Sequence, residues 1–263
     1  MKARVNGIET HYELHGAEGA PWLAFSHSLA CSLRMWDAQV AAFKDRFRIL
    51  VYDTRGHGAS EAPKGPYSLE MLAEDLRQLL EHLKIRKTHF VGLSMGGMIG
   101  QTLLLEEPGP FDRVVLADTG HAQTPETLKQ WDERIRTAET KGMEPLVQGT
   151  LERWFTKDFR DRPIVKSIAE LIRSTPVPGY VGCCQAIARL NTTARLKEIK
   201  RPVLAIAGEQ DAAAPGTRTI GENVPGAKLV MIPQAAHIAN IEQAEAFNRA
   251  LREFLSSPAS GRA

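Results

Sequence analysis

The sequence predicts an α/β protein with a mostly parallel, eight-stranded sheet and helices on both of its faces. The dipeptide Asn6-Gly7, which suits a tight type I′ turn, separates two short strand-like segments. Six compact apolar runs follow, and strand-like and helical segments alternate along the chain. An opening hairpin followed by strand, helix, strand units is typical of this fold class.

Eight segments are the strand candidates. The first two, ARV and ETHYEL, form the predicted hairpin around Asn6-Gly7. The other six are short and apolar enough to be buried parallel strands. In chain order they are WLAF at 22, RILVY at 48, HFVG at 89, RVVLA at 113, PVLAIA at 202 and KLVMI at 228.

A helix is predicted between RILVY and HFVG. Ser68 is its expected N-cap, because a serine side chain can accept a hydrogen bond from a backbone N–H of the first turn. Leucines follow at steps of three and four residues, which places them on one face of the helix: Leu69, Leu72, Leu76, Leu79, Leu80 and Leu83.

The alternation stops between residues 119 and 200. This stretch contains two segments of helical period, PETLKQWDERIRTAETKGMEPLVQGTLERWF and DRPIVKSIAELIRS, with proline and glycine between them. Insertions in such sheets lie at the carboxyl ends of the strands, where ligands bind. We therefore predict a core of residues 1–118 and 201–263 that carries a helical lid of residues 119–200. The terminal SSPASGRA is expected to fray.

The composition excludes several classes of protein. Thirty-three Lys and Arg against 31 Asp and Glu give a formal charge of +2, without a basic block that would suit nucleic acid. Three cysteines without metal-site spacing predict reduced thiols. No apolar run has the length of a signal peptide or a membrane span, which predicts a cytoplasmic protein. A monomer or a homodimer is expected.

The segment Gly92-Leu93-Ser94-Met95-Gly96 lies where a predicted strand, ending near Val91, meets a helix that begins near Met95. This is the context of a G-x-S-x-G nucleophile elbow, in which a sharp turn exposes the serine. The flanking glycines remove side chains that would collide, and the helix start points N–H groups at the serine oxygen. A glycine-rich turn with a capping serine would have the same pattern.

A nucleophilic serine needs a base and an acid that orients the base. His237 is the best-placed histidine, since it follows the last strand and precedes the final helix; His57, in the glycine-rich DTRGHGAS, is the rival. Asp211 follows PVLAIA and gives the order Ser, Asp, His that this strand arrangement favours. Asp118, directly after RVVLA, is the alternative acid.

An oxyanion site needs two backbone N–H donors. Met95 supplies one candidate, because its N–H follows the proposed nucleophile. The second is expected from the loop SHSLACS after WLAF, and Leu29 is our choice within it.

The whole chain resembles the α/β-hydrolase fold superfamily and, within it, 3-oxoadipate enol-lactonases. The resemblance lies in FSHSLACSLRMWDAQV, YDTRGHGASEAPKGPYSLE, GLSMGGMIG, LERWF, GYVGCCQAIARLN and HIANIEQAEAFN. It implies Ser94, Asp211 and His237 as a catalytic triad and Leu29 and Met95 as oxyanion donors. The chain has SLAC where these lactonases usually have SLGT.

The resemblance implies a serine hydrolase of a small ester or lactone, with no metal or organic cofactor. An enol-lactone substrate would carry a free carboxylate, and a bidentate arginine is suited to hold one. Arg134 with Trp131, and Trp154, are the lid candidates, although tryptophans of a lid core and an arginine on a solvated helix face would look the same. Arg153 and Arg189 are the alternatives to Arg134.

Other functions share parts of this pattern. A carboxylesterase or arylesterase would use the same three residues with a less polar lid. A cofactor-free perhydrolase is a weaker alternative, because Ala30 rather than proline follows Leu29. A ligand receptor that retains a vestigial triad is the alternative from another class. Dehalogenases and epoxide hydrolases place Asp at the elbow, so Ser94 argues against both.

Overall fold

The computed structural model describes residues 1–106 and 109–256. Its strands form one eight-stranded sheet in the order β1-β2-β4-β3-β5-β6-β7-β8. Strand β1 pairs antiparallel with β2 and β2 antiparallel with β4, whereas the other neighbours are parallel. The predicted mostly parallel α/β sheet is confirmed. The strands are β1 (Lys2–Val5), β2 (Ile8–His15), β3 (Trp22–Ser26), β4 (Arg48–Tyr52), β5 (Thr88–Leu93), β6 (Phe111–Ala117), β7 (Val203–Gly208) and β8 (Lys228–Ile232).

Local chemistry explains the strands and their ends. Asn6 and Gly7 have φ values of 44° and 80°, as a type I′ turn requires, and they join β1 to β2. Strand β5 ends at Leu93, two residues later than predicted, because it pairs with β6 up to that residue. The prediction that KLVMI is buried is wrong for Lys228 and Leu229, which are exposed because β8 is an edge strand.

Ten α-helices accompany the sheet within the described residues. They are α1 (Asp37–Phe43), α2 (Leu69–His82), α3 (Met95–Glu106), α4 (Pro125–Lys141), α5 (Glu144–Trp154), α6 (Pro163–Ser174), α7 (Val177–Ile187), α8 (Ala214–Asn223), α9 (Ala239–Glu242) and α10 (Ala244–Ser256). Of these helices, none has the length and apolar character to cross a bilayer.

Helix α2 begins as predicted, since the Ser68 side chain accepts a hydrogen bond from the Met71 N–H at 3.1 Å. It ends at His82, so Leu83 follows the helix rather than continuing its apolar face. Helix α3 is buried on all sides over Met95–Leu104, which seats the start of this helix deep in the fold behind Ser94.

Four helices, α4 to α7, lie between β6 and β7. The sequence predicted one helical segment where α4 and α5 are separate, because Gly142 adopts a φ of 75° and ends α4. Helix α7 was not predicted from the sequence, because its one proline and two glycines lower the intrinsic helical propensity of the segment. All four lie inside the range predicted as a lid, and the division into core and lid stays a prediction. Residues 257–263, with most of SSPASGRA, lie outside the described residues.

Helix α7 packs directly on the loop after β4. A Cβ built on Gly179 would lie 2.2 Å from the carbonyl oxygen of Gly56, and one built on Gly56 would lie 2.4 Å from Gly179 Cα. Further along, a Cβ on Gly182 would lie 2.7 Å from the Tyr67 ring. The backbones therefore touch with no side chain between them, which explains the glycines of GYVGCC in physical terms.

Candidate active site

Ser94 lies in a tight turn between β5 and α3. Its φ of 55° is in the left-handed region, where a non-glycine residue is held at a cost of about 1–3 kcal/mol. A Cβ on Gly92 would lie 2.2 Å from Gly96 O, and one on Gly96 would lie 2.1 Å from Ser26 O. Both glycines are therefore needed for strand and helix to meet this closely, and the serine is raised at the turn between them.

His237 links Ser94 to Asp211. Its Nδ1 lies 2.9 Å from Asp211 Oδ1, and its Nε2 lies 2.9 Å from Ser94 Oγ. A carboxylate only accepts hydrogen bonds, so Nδ1 carries the proton and Nε2 accepts from the serine hydroxyl. Asp211 Oδ1 also accepts from the Ala213 N–H at 3.0 Å. This geometry allows His237 to remove the proton of Ser94 as a general base.

The loops that carry Asp211 and His237 are bonded to each other. The Glu209 N–H donates to Ile232 O, and the Gln210 N–H donates to Ala235 O, both at 2.9 Å. Because these bonds join the carboxyl ends of β7 and β8, the acid and the base approach from neighbouring strands.

Asp118, the alternative acid, is completely buried after β6. Its Oδ1 accepts from the Gly208 N–H at 2.8 Å, and its Oδ2 has no hydrogen-bond partner among the described residues. Burial, and secondarily the negative charge of Asp211, raise the pKa of Asp118 well above its usual value. His237 is bonded to Asp211 and not to Asp118, so the structure favours Asp211 as the orienting acid.

One expected oxyanion donor, Met95, follows the serine in the chain, and the other, Leu29, lines the same cavity as Ser94. The backbone N–H groups of Leu29 and Met95 have no acceptor within the described part of the chain, so both are available to an oxygen of a bound substrate. Leu29 lines the cavity beside Ser94, whereas Met95 begins α3 and is fully buried. The next residue after Leu29, Ala30, has a φ of 56°, which marks a tightly constrained loop.

His57 is hydrogen-bonded to this loop and holds it in place instead of acting as the base. Its Nε2 accepts from the Ala30 N–H at 2.9 Å, and its Nδ1 lies 3.2 Å from Arg55 O. The two contacts require neutral imidazole with the proton on Nδ1. Burial, and then the charge of the nearby His27, lower the pKa of His57 to about 3. Its hydrogen bonds are within the protein, so the sequence alternative of His57 as the base is not supported.

The buried His57 predicts a pH dependence of stability. The pKa of His57 in the folded chain is below the unfolded value of about 6.5. The contribution of neutral His57 to the free energy of unfolding is therefore fully present above pH 6.5 and is lost as the pH falls towards 3. Each pH unit in that window costs up to about 1.4 kcal/mol. We expect the free energy of unfolding of His57→Gln to fall less steeply between pH 6.5 and 4 than that of the parent, by urea denaturation. Equal slopes would contradict the assignment.

A cavity of about 430 Å³ opens above Ser94. Its floor includes Ser94, Asp211 and His237, and its walls include three lid candidates of the sequence, Trp131, Arg134 and Trp154. The Trp154 ring is stacked against the His237 ring, with centroids 6.3 Å apart and planes at 29°. The structure thus brings the predicted lid residues and the serine to one cavity.

A family model of the alpha/beta hydrolase fold matches residues 21–244. The chain belongs to the α/β-hydrolase fold family.

Relatives of this α/β-hydrolase have hydrolytic activities. The 3-oxoadipate enol-lactonase 2 of Acinetobacter baylyi is 38% identical over 253 residues, which cover 93% of this chain and 92% of that protein. The crystal structure of the enol-lactonase from Burkholderia xenovorans LB400 is 40% identical, covers 98% of this chain and 100% of its own, and has a TM-score of 0.93. A thermophilic esterase from Thermogutta terrifontis, in a malate-bound structure, is 27% identical, covers 97% and 98%, and has a TM-score of 0.90. The comparisons support a hydrolase.

Two arginines give the cavity of this α/β-hydrolase a positive wall. Arg134 stacks on the Trp131 ring with its guanidinium carbon 4.5 Å from the centroid, and Arg153 donates to the Thr150 hydroxyl at 3.1 Å. Within the described residues, neither guanidinium has a carboxylate within 4 Å. Desolvation, and then the charge of Arg134, lower the pKa of Arg153 to about 10, although its side chain remains partly exposed. Two arginines without an ion-pair partner among the described residues are suited to an anionic ligand.

Sequence reasoning left part of this wall undecided. Arg153 was only an alternative, yet it lines the cavity with Arg134; Arg189 is exposed and is not among the lining residues. Tyr180 of α7 also lines the cavity and was not chosen, although the pattern GYVGCC contained it. The buried Cys183 and Cys184 are free thiols behind Tyr180 and do not line the cavity.

Proposed function

We propose that this α/β-hydrolase opens a lactone that carries a free carboxylate, of the 3-oxoadipate enol-lactone type, through an acyl-enzyme on Ser94. One observation carries the proposal: the hydrogen-bonded chain Ser94, His237, Asp211 lies in the same cavity as two arginines without carboxylate partners. The enol-lactonase relatives support the substrate class.

The first half of the reaction follows from the contacts at Ser94. Its Oγ attacks the lactone carbonyl while its proton passes to His237 Nε2, and Asp211 stabilises the resulting imidazolium. The N–H groups of Leu29 and Met95 bind the oxyanion of the tetrahedral intermediate. Collapse breaks the ring C–O bond, and the leaving enol oxygen takes the proton from His237.

The second half of the reaction uses the same residues. His237 removes a proton from water, whose oxygen attacks the acyl carbon. The second tetrahedral intermediate then collapses, the bond between the acyl carbon and Ser94 Oγ breaks, and His237 returns the proton to Oγ. The released enol tautomerises to a ketone, so the product is an open-chain keto-acid. Because the enol form is lost from the equilibrium, ring closure is disfavoured.

The proposed role of Arg134 is to hold the carboxylate of the substrate. Its removal should lower kcat/KM for the enol-lactone by about 30-fold or more, mainly through KM, because this contact is made before and during the reaction. Hydrolysis of p-nitrophenyl acetate, which has no carboxylate, should change little. Steady-state kinetics of Arg134→Ala on both substrates measure the difference, and Arg153→Ala tests the second cation in the same way.

The control for that comparison is Arg136→Ala, because Arg136 is on the same helix but is exposed and does not line the cavity. It should leave both substrates unaffected. Equal losses on the two substrates in Arg134→Ala would point to packing of the arginine stem on Trp131. No loss in Arg134→Ala and Arg153→Ala would favour the carboxylesterase or arylesterase alternative.

A second candidate, the receptor with a vestigial triad, predicts no covalent chemistry. A fluorophosphonate probe should label Ser94 in the parent and fail to label Ser94→Ala. The absence of labelling and of turnover on a panel of lactones and esters would support the receptor alternative. The esterase relative supports inclusion of short esters in that panel.

A further inference from the structure

Glu242, the last residue of α9, has a buried carboxylate, and each of its two oxygens accepts hydrogen bonds. Only 6% of its surface is exposed. Its Oε1 accepts from both the N–H (3.0 Å) and the hydroxyl of Thr156, and its Oε2 accepts from the Ala236 N–H at 2.7 Å. No lysine or arginine of the described residues lies within ion-pair distance of it. Only hydrogen-bond donors surround this buried carboxylate. A neutral side chain at the same position would leave some of these donors without an acceptor.

These bonds join two elements that are far apart in the sequence. Thr156 lies two residues after the end of α5, whose last residue, Trp154, lines the cavity. Ala236 directly precedes His237. Glu242 therefore connects the segment after α5 to the loop that carries the proposed base.

A second set of contacts holds the other side of the same loop. The Ile238 N–H donates to the carbonyl oxygen of Trp154 at 3.2 Å, and the Trp154 ring stacks on the His237 ring. The residues before and after His237 are thus both bonded to residues 154–156, directly or through Glu242. His237 therefore lies between two residues that are both held to residues 154–156, Ala236 through Glu242 and Ile238 directly.

We propose that Glu242 is a positioning residue that fixes the His237 loop to residues 154–156 and so keeps the imidazole within hydrogen-bond distance of Ser94. The inference rests on the proposed function in one respect, namely that His237 acts as the base. A displacement of about 1 Å at a catalytic group can lower the rate about 100-fold. Contacts that hold the His237 loop in place should therefore affect the reaction rate.

The donors around Glu242 explain why a carboxylate is required. All three partners are N–H or O–H groups, and a carboxylate offers acceptors on both oxygens. Glutamine has the same shape but presents an NH₂ group on one side. One of the two attachments, to Thr156 or to Ala236, would then face donor against donor and be lost.

The test compares Glu242→Gln with Thr156→Val, the double variant and Glu245→Gln. The Thr156 change removes only the hydroxyl arm and keeps the backbone N–H, so it remains informative if Glu242→Gln does not fold. Glu245 is exposed at the start of α10, so Glu245→Gln is the control for the loss of one negative charge close to Glu242 in the sequence. Hydrolysis of p-nitrophenyl acetate is measured with each purified variant, and circular dichroism establishes folding.

We expect Glu242→Gln to lower kcat by about 10- to 100-fold with KM changed by less than about twofold, because alignment is lost while binding is kept. Thr156→Val should lower kcat by a smaller factor. The double variant should be no slower than Glu242→Gln alone, since the loss of a hydrogen bond at either end interrupts the same link from Thr156 through Glu242 to Ala236. Glu245→Gln should behave like the parent.

Three results would overturn the inference: an unchanged kcat in folded Glu242→Gln, a raised KM with kcat intact, or losses in the double variant that multiply. The second of these would make Glu242 a support of the cavity wall alone. Failure of the proposed function is distinguishable, because Ser94→Ala would then retain activity on the same ester. If Ser94→Ala is inactive and Glu242→Gln is fully active, only the clamp is wrong.

Discussion

Replacement of Ser94 by alanine is expected to lower kcat for both the enol-lactone and p-nitrophenyl acetate by about 10⁴-fold or more. The change removes the only oxygen that lies within hydrogen-bond distance of His237 Nε2 among the described residues, so no acyl-enzyme can form. Alanine fits the same turn with little loss of packing, although the left-handed φ remains unfavourable. Steady-state kinetics measure the effect, with thermal unfolding to establish that the variant is folded.

The control for Ser94→Ala is Ser94→Cys, which keeps a nucleophile of similar size in the same turn. Covalent labelling by a fluorophosphonate should be absent from the alanine variant. Turnover by a folded Ser94→Ala protein at near the parental rate would contradict the mechanism from its first step, whatever the substrate.

The second large effect is expected at Asp211. Asp211→Asn should lower kcat by about 10³- to 10⁴-fold, because an amide can present its NH₂ to His237 Nδ1 and favour the tautomer that cannot accept the serine proton. Asp118→Asn should have a much smaller effect, since Asp118 is bonded to the Gly208 N–H and not to the imidazole. Kinetics of both purified variants on the same ester give the ranking.

The matched pair is informative because both acids are buried and lie near each other. Each substitution replaces one buried carboxyl group of the same region by an amide of nearly the same shape, so a general disturbance of packing there would affect the two alike. A larger loss for Asp118→Asn than for Asp211→Asn, in folded proteins, would move the orienting role to the end of β6.

The core of the fold was predictable because its signals are local. Apolar runs of strand length, Asn6-Gly7 and the Ser68 cap each act within a few residues, and the structure contains all of these elements. The elbow was predictable for the same reason: Gly92 and Gly96 are required by contacts within one turn and its nearest strand. The proposed triad was chosen by the order of its residues at strand ends, and His237 lies within hydrogen-bond distance of both Ser94 and Asp211.

The remaining features depend on contacts between distant segments. The helical character of α7 is concealed by its proline and its two glycines, and only the contacts of these glycines with Gly56 and Tyr67 explain why they are there. Arg153 and Arg134 come from different helices, and the shared cavity wall arises only after the helices have packed. The bonds of Glu242 join residues 86 positions apart in the sequence, for which no local pattern gives a signal.

The backbone contact between Gly56 and Gly179 has a consequence for how this enzyme can be diversified. Any side chain at either position would push α7 away from the sheet, and Tyr180 in the cavity wall would move with it. Mutagenesis libraries aimed at new substrates should therefore leave these two glycines unchanged and vary the side chains that line the cavity instead. The position of α7, at the end of the segment between β6 and β7, is thus set by backbone contact with the loop after β4.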